Sequence, residues 1–258
     1  MIVAMSCNEA WYKYLVVDLY SLLFFTPNIE KIYLFLETDN IDEVKYLKDL
    51  KNRFNVEFVL INYNNFCDKY LSITSPNRDT LYSNFCFSRL ILADFIKEDK
   101  VIYLDTDAIV RRDISRIWNI DINDYYVIGV KDYGVMCDGY LDSLNLSGKY
   151  INSGVVVFNL EKIRKDNIIS KWFDIINNKK LLYPDQDALN IVCTDYEYYI
   201  HSMYNFINNA TLDVVNKELV KIYHYAGPKN NWLADRFYAE EWYDSEELFY
   251  KDIVKGQN

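Results

Sequence analysis

The chain has 258 residues, 51% of them hydrophobic and 26% charged, which supplies a sizeable core and excludes global disorder. A formal net charge of −10 excludes a general nucleic-acid binder, because such proteins need a basic footprint. An acidic protein that binds an anionic ligand must provide a local cation, and the length fits one large domain, residues 1–258.

Ile2 to Met5 reads as a short buried strand, followed by the polar turn Ser6-Cys7-Asn8-Glu9. Trp11 to Phe25 has apolar residues at helical spacing and stops before Pro27. Lys31 to Glu37 is a second strand, Asp42 to Lys51 an amphipathic helix with Val44, Leu47 and Leu50 on one face, and Asn55 to Ile61 a third strand. This β-α-β-α-β run opens a nucleotide-binding type of sheet. No Gly-x-Gly-x-x-Gly follows the first strand, which argues against a dinucleotide dehydrogenase. Asn62 to Asn77 is polar and irregular, and Leu81 to Phe95 is predicted helical with Arg89 among apolar neighbours.

Val101-Ile102-Tyr103-Leu104 then runs straight into Asp105-Thr106-Asp107. Four apolar residues in a row predict a strand buried on both faces, whose C-terminal end reaches the rim where open α/β sheets bind ligands. Residues i and i+2 of an extended segment point the same way, so Asp105 and Asp107 could share one divalent cation. Asp113 to Trp118 reads as a short capped helix, Tyr126 to Val130 as a strand ending near Asp132, and Asp138 to Lys149 as a segment over the site. Tyr150 to Asn159 is a second strongly apolar strand with small polar residues at its start, and Ile163 to Ile176 is helical. Tyr183-Pro184-Asp185-Gln186-Asp187 opens another helix; Pro and Asp also serve simply as a helix start. Lys221 to Tyr225 is a late strand, and Ala234 to Val254 an acidic, aromatic helical tail.

The five cysteines, Cys7, Cys67, Cys86, Cys137 and Cys193, are spread out with no C-x-x-C pair, and read as reduced core thiols. Met1 to Met5 is too short and uncharged for a signal peptide, and no apolar run reaches membrane-spanning length. A cytoplasmic protein is expected. Of the two histidines, His224 leaves a strand just before a Gly-Pro turn, and one imidazole with two carboxylates suits Mn²⁺ or a similar ion.

Four segments in order, Val101 to Asp107, Ile151-Asn152-Ser153-Gly154-Val155, Asp185-Gln186-Asp187-Ala188-Leu189-Asn190, and His224-Tyr225-Ala226-Gly227-Pro228 with Trp232, resemble glycosyltransferase family 8, which includes glycogenin and bacterial surface-saccharide transferases. The resemblance covers roughly residues 1 to 232. It implies a GT-A fold, an α/β domain with a mainly parallel central sheet flanked by helices, and residues 235–258 as a tail. It implies a UDP-sugar donor, a saccharide or a protein- or lipid-linked glycan as acceptor, and Mn²⁺ or Mg²⁺ as cofactor. Asp105, Asp107 and His224 match the metal ligands. Ser6, Asn8 and Trp11 match the uridine site, Arg89 the donor-contacting Arg, and Asn152, Asp185 and Gln186 the residues that hold the transferred sugar. Thr106, Ser153 and Gly227 lie within the same donor-binding motifs.

The implied reaction transfers a hexose with retention. Gln186 takes the place below the anomeric carbon, but an amide is a poor nucleophile. A front-face mechanism with the leaving phosphate as base fits better, with Asp187 as the fallback nucleophile. Two departures stand out. Asn230 occupies the position of the usual diphosphate-binding Lys, so Lys229 is the candidate replacement. The tail carries Glu240, Glu241, Asp244, Glu246 and Glu247, so attraction to anionic lipid is not expected. Rival readings are a haloacid-dehalogenase-like phosphatase using Asp105 and Asp107, a non-catalytic sugar- or nucleotide-binding protein, and a glycogenin-like self-glycosylating protein. The sugar, the acceptor and the oligomeric state, a homo-oligomer included, stay open.

Overall fold

The computed structural model describes residues 1–64, 69–78, 83–135, 139–146, 148–207, 216–227 and 239–255. A seven-stranded sheet has the order β3-β2-β1-β4-β7-β6-β8, built from β1 (Ile2–Ser6), β2 (Lys31–Leu36), β3 (Glu57–Asn62), β4 (Lys100–Leu104), β6 (Val127–Lys131), β7 (Ile151–Asn159) and β8 (Glu197–Tyr199). A two-stranded ribbon pairs β5 (Ala108–Val110) with β9 (Ile222–His224). β3, β2, β1 and β4 are mutually parallel, β7 runs antiparallel to both β4 and β6, and β8 is parallel to β6. The fold is α/β with a mainly parallel central sheet, as the resemblance implied.

The central strands are apolar throughout because both sheet faces are covered. Val3, Met5, Ile102, Leu104, Val155 and Val157 face one core, with α1 (Tyr12–Phe25), α2 (Leu47–Phe54) and the C-terminal helix. Ala4, Val101, Tyr103, Val156 and Phe158 face a second core, completed by the helices that follow β7. This alternation is the period of two in a strand, filled on both sides.

Several helices differ from the sequence-based expectation. The helix expected over Asp42 to Lys51 starts at Leu47, because Tyr46 sits at φ 69° and blocks an earlier start. The helix expected over Leu81 to Phe95 is a 3₁₀ segment, Asn84–Leu90, followed by α3 (Leu92–Phe95). After α4 (Ser115–Trp118) and α5 (Tyr140–Ser143), the helix expected over Ile163 to Ile176 is split into α6 (Leu160–Lys165) and α7 (Ile168–Asn178) by Asn167 at φ 52°. α8 (Pro184–Cys193) carries the Asp-Gln-Asp segment, and α9 (Glu240–Phe249) packs on α1, with the Tyr14 and Trp242 rings 5.6 Å apart. Among the described residues no helix is long and apolar enough to cross a membrane, and none of Cys7, Cys86 and Cys193 is in a disulfide.

Candidate active site

The site lies at the C-terminal end of β4, and the antiparallel direction of β7 makes it. Leu104 pairs with Val155, so the start of β7 lies beside the end of β4, and Asp105 N–H donates to the Gly154 carbonyl at 2.8 Å. A parallel neighbour would have brought its far end there instead. The chain then turns through Asp105-Thr106-Asp107 into β5, where Ala108 pairs with His224 and Tyr225 N–H donates to the Asp107 carbonyl at 2.9 Å. Ligand atoms of Asp105, Asp107 and His224 accordingly all lie within 4.8 Å of one another. His224 Nε2 is 3.2 Å from Asp107 Oδ1 and 3.9 Å from Asp105 Oδ2.

Arg89 joins the strand end to α8. Its Nη2 and Nη1 donate to the two oxygens of Asp105 at 2.7 and 3.1 Å, and Nη1 also reaches the Ser153 carbonyl at 2.7 Å and hydroxyl at 2.9 Å. Nε donates to the Cys86 carbonyl at 3.0 Å and lies 3.2 Å from Asp185 Oδ2. Burial works against the guanidinium charge, but Asp105 foremost, then Tyr103 and Asp185, hold it firmly protonated. The planar fork makes this set of contacts; a lysine ammonium would not.

Gln186 is fixed at both ends of its amide. Oε1 accepts from Ser153 N–H at 2.8 Å, and Nε2 donates to Asp132 Oδ2 at 3.0 Å. Asn152 donates to the same Asp132 oxygen at 3.0 Å. Asp187 has a different setting: it is fully buried and holds donors from Tyr140 OH at 2.6 Å, Tyr150 OH at 2.5 Å and Tyr183 N–H at 2.9 Å. Those bonds tie α8 to its surroundings and occupy the carboxylate. Ser6 is likewise engaged. Ser88 Oγ donates to Ser6 Oγ at 2.6 Å, Ser6 bonds Tyr103 OH at 2.8 Å, and Tyr103 donates to Asp105 Oδ1 at 2.9 Å, so Ser6 acts on the site through Tyr103. Asn8 Oδ1 is buried and accepts no hydrogen bond among the described residues. The Trp11 ring lies 5.2 Å from Tyr14, against the core. Thr106 is buried in the turn between the ligands, Gly227 sits at φ 121°, and Lys229 lies outside the described residues.

The family description "Glycosyl transferase family 8" matches residues 2–236. The chain belongs to glycosyltransferase family 8. A putative glycosyltransferase of Haemophilus influenzae is 27% identical over 250 residues, which cover 90% of this chain and 73% of that protein. A lipopolysaccharide 1,2-glucosyltransferase of Escherichia coli is 27% identical over 187 residues, which cover 63% of this chain and 55% of that enzyme. Among solved structures, the galactosyltransferase LgtC in complex with donor and acceptor sugar analogs superposes with a TM-score of 0.76 at 23% identity, covering 95% of each chain. That likeness shows the GT-A fold. Family membership displaces the phosphatase reading, and the geometry agrees: both oxygens of Asp105, the nucleophile in that reading, are held by Arg89.

The family fold implies a divalent metal, and the residues present fit one. Asp107 Oδ1 is buried and accepts no hydrogen bond among the described residues. Gly154 keeps the space open, since a Cβ there would lie 2.7 Å from His224 Nε2 and 2.8 Å from Asp105 Oδ2. Two carboxylates and an imidazole form a mixed O/N set suited to such an ion. Burial lowers the His224 pKa, but the Asp107 carboxylate and then Asp105 outweigh it and hold the ring above its ordinary value. Burial raises the Asp105 carboxyl, Arg89 pulls it back, and Asp107 adds to the rise. A cation in this place would reverse both tendencies.

Three residues of the site were not singled out from the sequence. From the sequence Asp132 reads only as a residue near a strand end, yet it orients Gln186 and Asn152. Asn205 sits in irregular chain and bonds His224. Gly154 did carry a signal, because a glycine inside an apolar strand marks close approach of something else.

Proposed function

We propose that this chain transfers a hexose, glucose or galactose, from a UDP-sugar to a saccharide hydroxyl, with retention of configuration and in a Mn²⁺- or Mg²⁺-dependent manner. The observation that carries the reading is the Asp105-Asp107-His224 cluster, joined through Arg89 and Ser153 to Gln186. The names of the relatives support the substrate class: one is a lipopolysaccharide 1,2-glucosyltransferase, another a galactosyltransferase crystallised with donor and acceptor sugar analogs. Residues 1–258 act in this reading as one catalytic domain, with a free saccharide or a protein- or lipid-linked glycan as acceptor.

Asp105, Asp107 and His224 would hold the cation, whose chemistry when bound is Lewis-acid stabilisation of the diphosphate leaving group. Arg89 is always charged and supports Asp105 from behind. The Asn8 amide, with its uncommitted oxygen, is the group offered to the uracil ring. Gln186 is locked by Ser153 and Asp132, so its amide presents a fixed dipole to the sugar at no reorganisation cost. Asp187 keeps its three donors and holds α8 in place. The acceptor hydroxyl attacks the anomeric carbon on the face that the diphosphate leaves. The new C–O bond forms as the old one breaks, and the acceptor proton passes to the departing phosphate oxygen.

The test is release of UDP from UDP-glucose and UDP-galactose with and without Mn²⁺, with the anomeric configuration of the transferred sugar read by NMR. An α-linked product from an α-linked donor is expected. A β-linked product would overturn the retaining reading, and metal-independent turnover would overturn the role given to the cluster.

A further inference from the structure

A chain of buried amides connects the metal side of the site to the sugar side, and fixed backbone donors set its direction. Ser153 N–H donates to Gln186 Oε1, which turns Gln186 Nε2 toward Asp132 Oδ2. Gly154 N–H donates to Asn152 Oδ1 at 3.0 Å, which turns Asn152 Nδ2 toward the same Asp132 oxygen. Asn152 Oδ1 therefore faces Asn205 as an acceptor, and Asn205 Nδ2 donates to it at 2.9 Å. That leaves Asn205 Oδ1 against His224 Nδ1 at 2.8 Å. An amide oxygen only accepts, so Nδ1 must carry the proton. In the neutral ring Nε2 is then unprotonated, and its lone pair faces Asp105 and Asp107.

The backbone delivers Asn205 rigidly. Asn205 N–H donates to the Ser202 carbonyl at 3.1 Å, and the next residue, Phe206, bridges β9 through Phe206 N–H to Ile222 O and His224 N–H to Phe206 O, both at 2.9 Å. Asn205 is only 1% exposed, so no water competes for its amide.

We propose that Asn205 is a positioning residue that fixes the tautomer and ring plane of His224, and that it links this ligand through Asn152 and Asp132 to Gln186. The proposal rests on the reading of His224 as a metal ligand, but its first consequence, the tautomer, is independent of metal. With only two histidines in the chain, ¹⁵N-histidine labelling resolves His224 directly.

The experiment compares wild type, Asn205→Ala, Asn205→Asp and His224→Ala. The ¹⁵N spectrum of the metal-free protein is recorded at a pH where the ring is neutral, and Mn²⁺ titration follows by calorimetry. Wild type should show His224 with a protonated Nδ1 and a bare Nε2. Asn205→Ala should mix the tautomers and weaken Mn²⁺ binding by about 10–100-fold. Asn205→Asp keeps an acceptor for Nδ1–H and should retain the wild-type tautomer, which guards against mere misfolding of the alanine variant. An Nε2–H ring in wild type, or an unchanged tautomer in folded Asn205→Ala, would overturn the proposal. Equal Mn²⁺ binding by wild type and His224→Ala would instead refute the metal reading, with the tautomer still deciding the role of Asn205.

Discussion

Gly154→Ala tests the metal cluster through one added methyl group. The new Cβ would lie 2.7 Å from His224 Nε2 and 2.8 Å from Asp105 Oδ2, and closer still to His224 Cε1. Neither neighbour is free to retreat, since His224 is held by Asn205 and Asp105 by Arg89 and Tyr103. Overpacking of this kind costs about 1–3 kcal/mol. A loss of ~2 kcal/mol in a chain of this size lowers Tm by about 4–8 °C. The larger effect falls on the cation, because the methyl fills the space between two of its ligands. Losing a neighbour of a ligand typically weakens metal binding about 10–100-fold, and displacing a ligand should do at least as much. The assay is thermal unfolding with and without Mn²⁺. At a hundredfold excess over Kd, binding stabilises the folded state by about 2.7 kcal/mol, a shift that wild type should show and Gly154→Ala should lack. Gly129→Ala is the control, because its Cβ meets the Ile151 side chain and no metal ligand. It should lose stability yet keep the Mn²⁺ shift. A full Mn²⁺ shift in Gly154→Ala would refute the assignment.

Asp107→Asn and His224→Ala should each abolish metal-dependent turnover while circular dichroism stays native, since each removes a ligand and not core packing. Arg89→Leu should cost about 3–5 kcal/mol in urea unfolding, because it leaves the buried Asp185 and the half-buried Asp105 without their cation. Asp18 is buried; burial and then the Asp107 charge raise its pKa well above the ordinary value, offset in part by a hydrogen bond from the Trp242 indole. The unfolded chain therefore loses this proton first, and stability falls as pH rises from the ordinary carboxyl range through the raised folded value. Asp18→Asn should flatten that slope, measured by urea unfolding across pH. The raised His224 pKa acts in the same sense on the metal-free protein, in a higher pH window: its stabilisation is complete below the unfolded value and lost as pH rises through the folded one. Because Mn²⁺ competes for the same nitrogen, its affinity should fall about tenfold per pH unit below the folded value, read by calorimetry.

The strands that build the site were legible because burial on both faces leaves a continuous apolar run, as in Val101 to Leu104 and Val155 to Phe158. β5 and β8 escaped notice because three residues carry too little pattern. The segment before β4 looked helical by composition, yet it forms a 3₁₀ run. Ser88 Oγ donates to Ser6 and Arg89 to Ser153 and Asp105, all far away in the chain, so tertiary demands at Ser88 and Arg89 override propensity. The break between α6 and α7 sits at Asn167, whose positive φ ends the first helix, beside Asp166, which accepts from Tyr126 OH at 2.8 Å, 40 residues away in the chain. The residues of the cluster were legible as motifs in family order. Asn205 was not, because its role exists only through pairings that the fold creates.

Calorimetric titration of UDP-glucose and UDP-galactose, with and without Mn²⁺, into wild type and Asp107→Asn tests whether the Asp105-Asp107-His224 cluster binds the donor through a cation. At least one UDP-hexose should bind wild type only when Mn²⁺ is present, and none should bind Asp107→Asn in either condition. Equal binding by both proteins, or binding that ignores the metal, would contradict that role of the cluster.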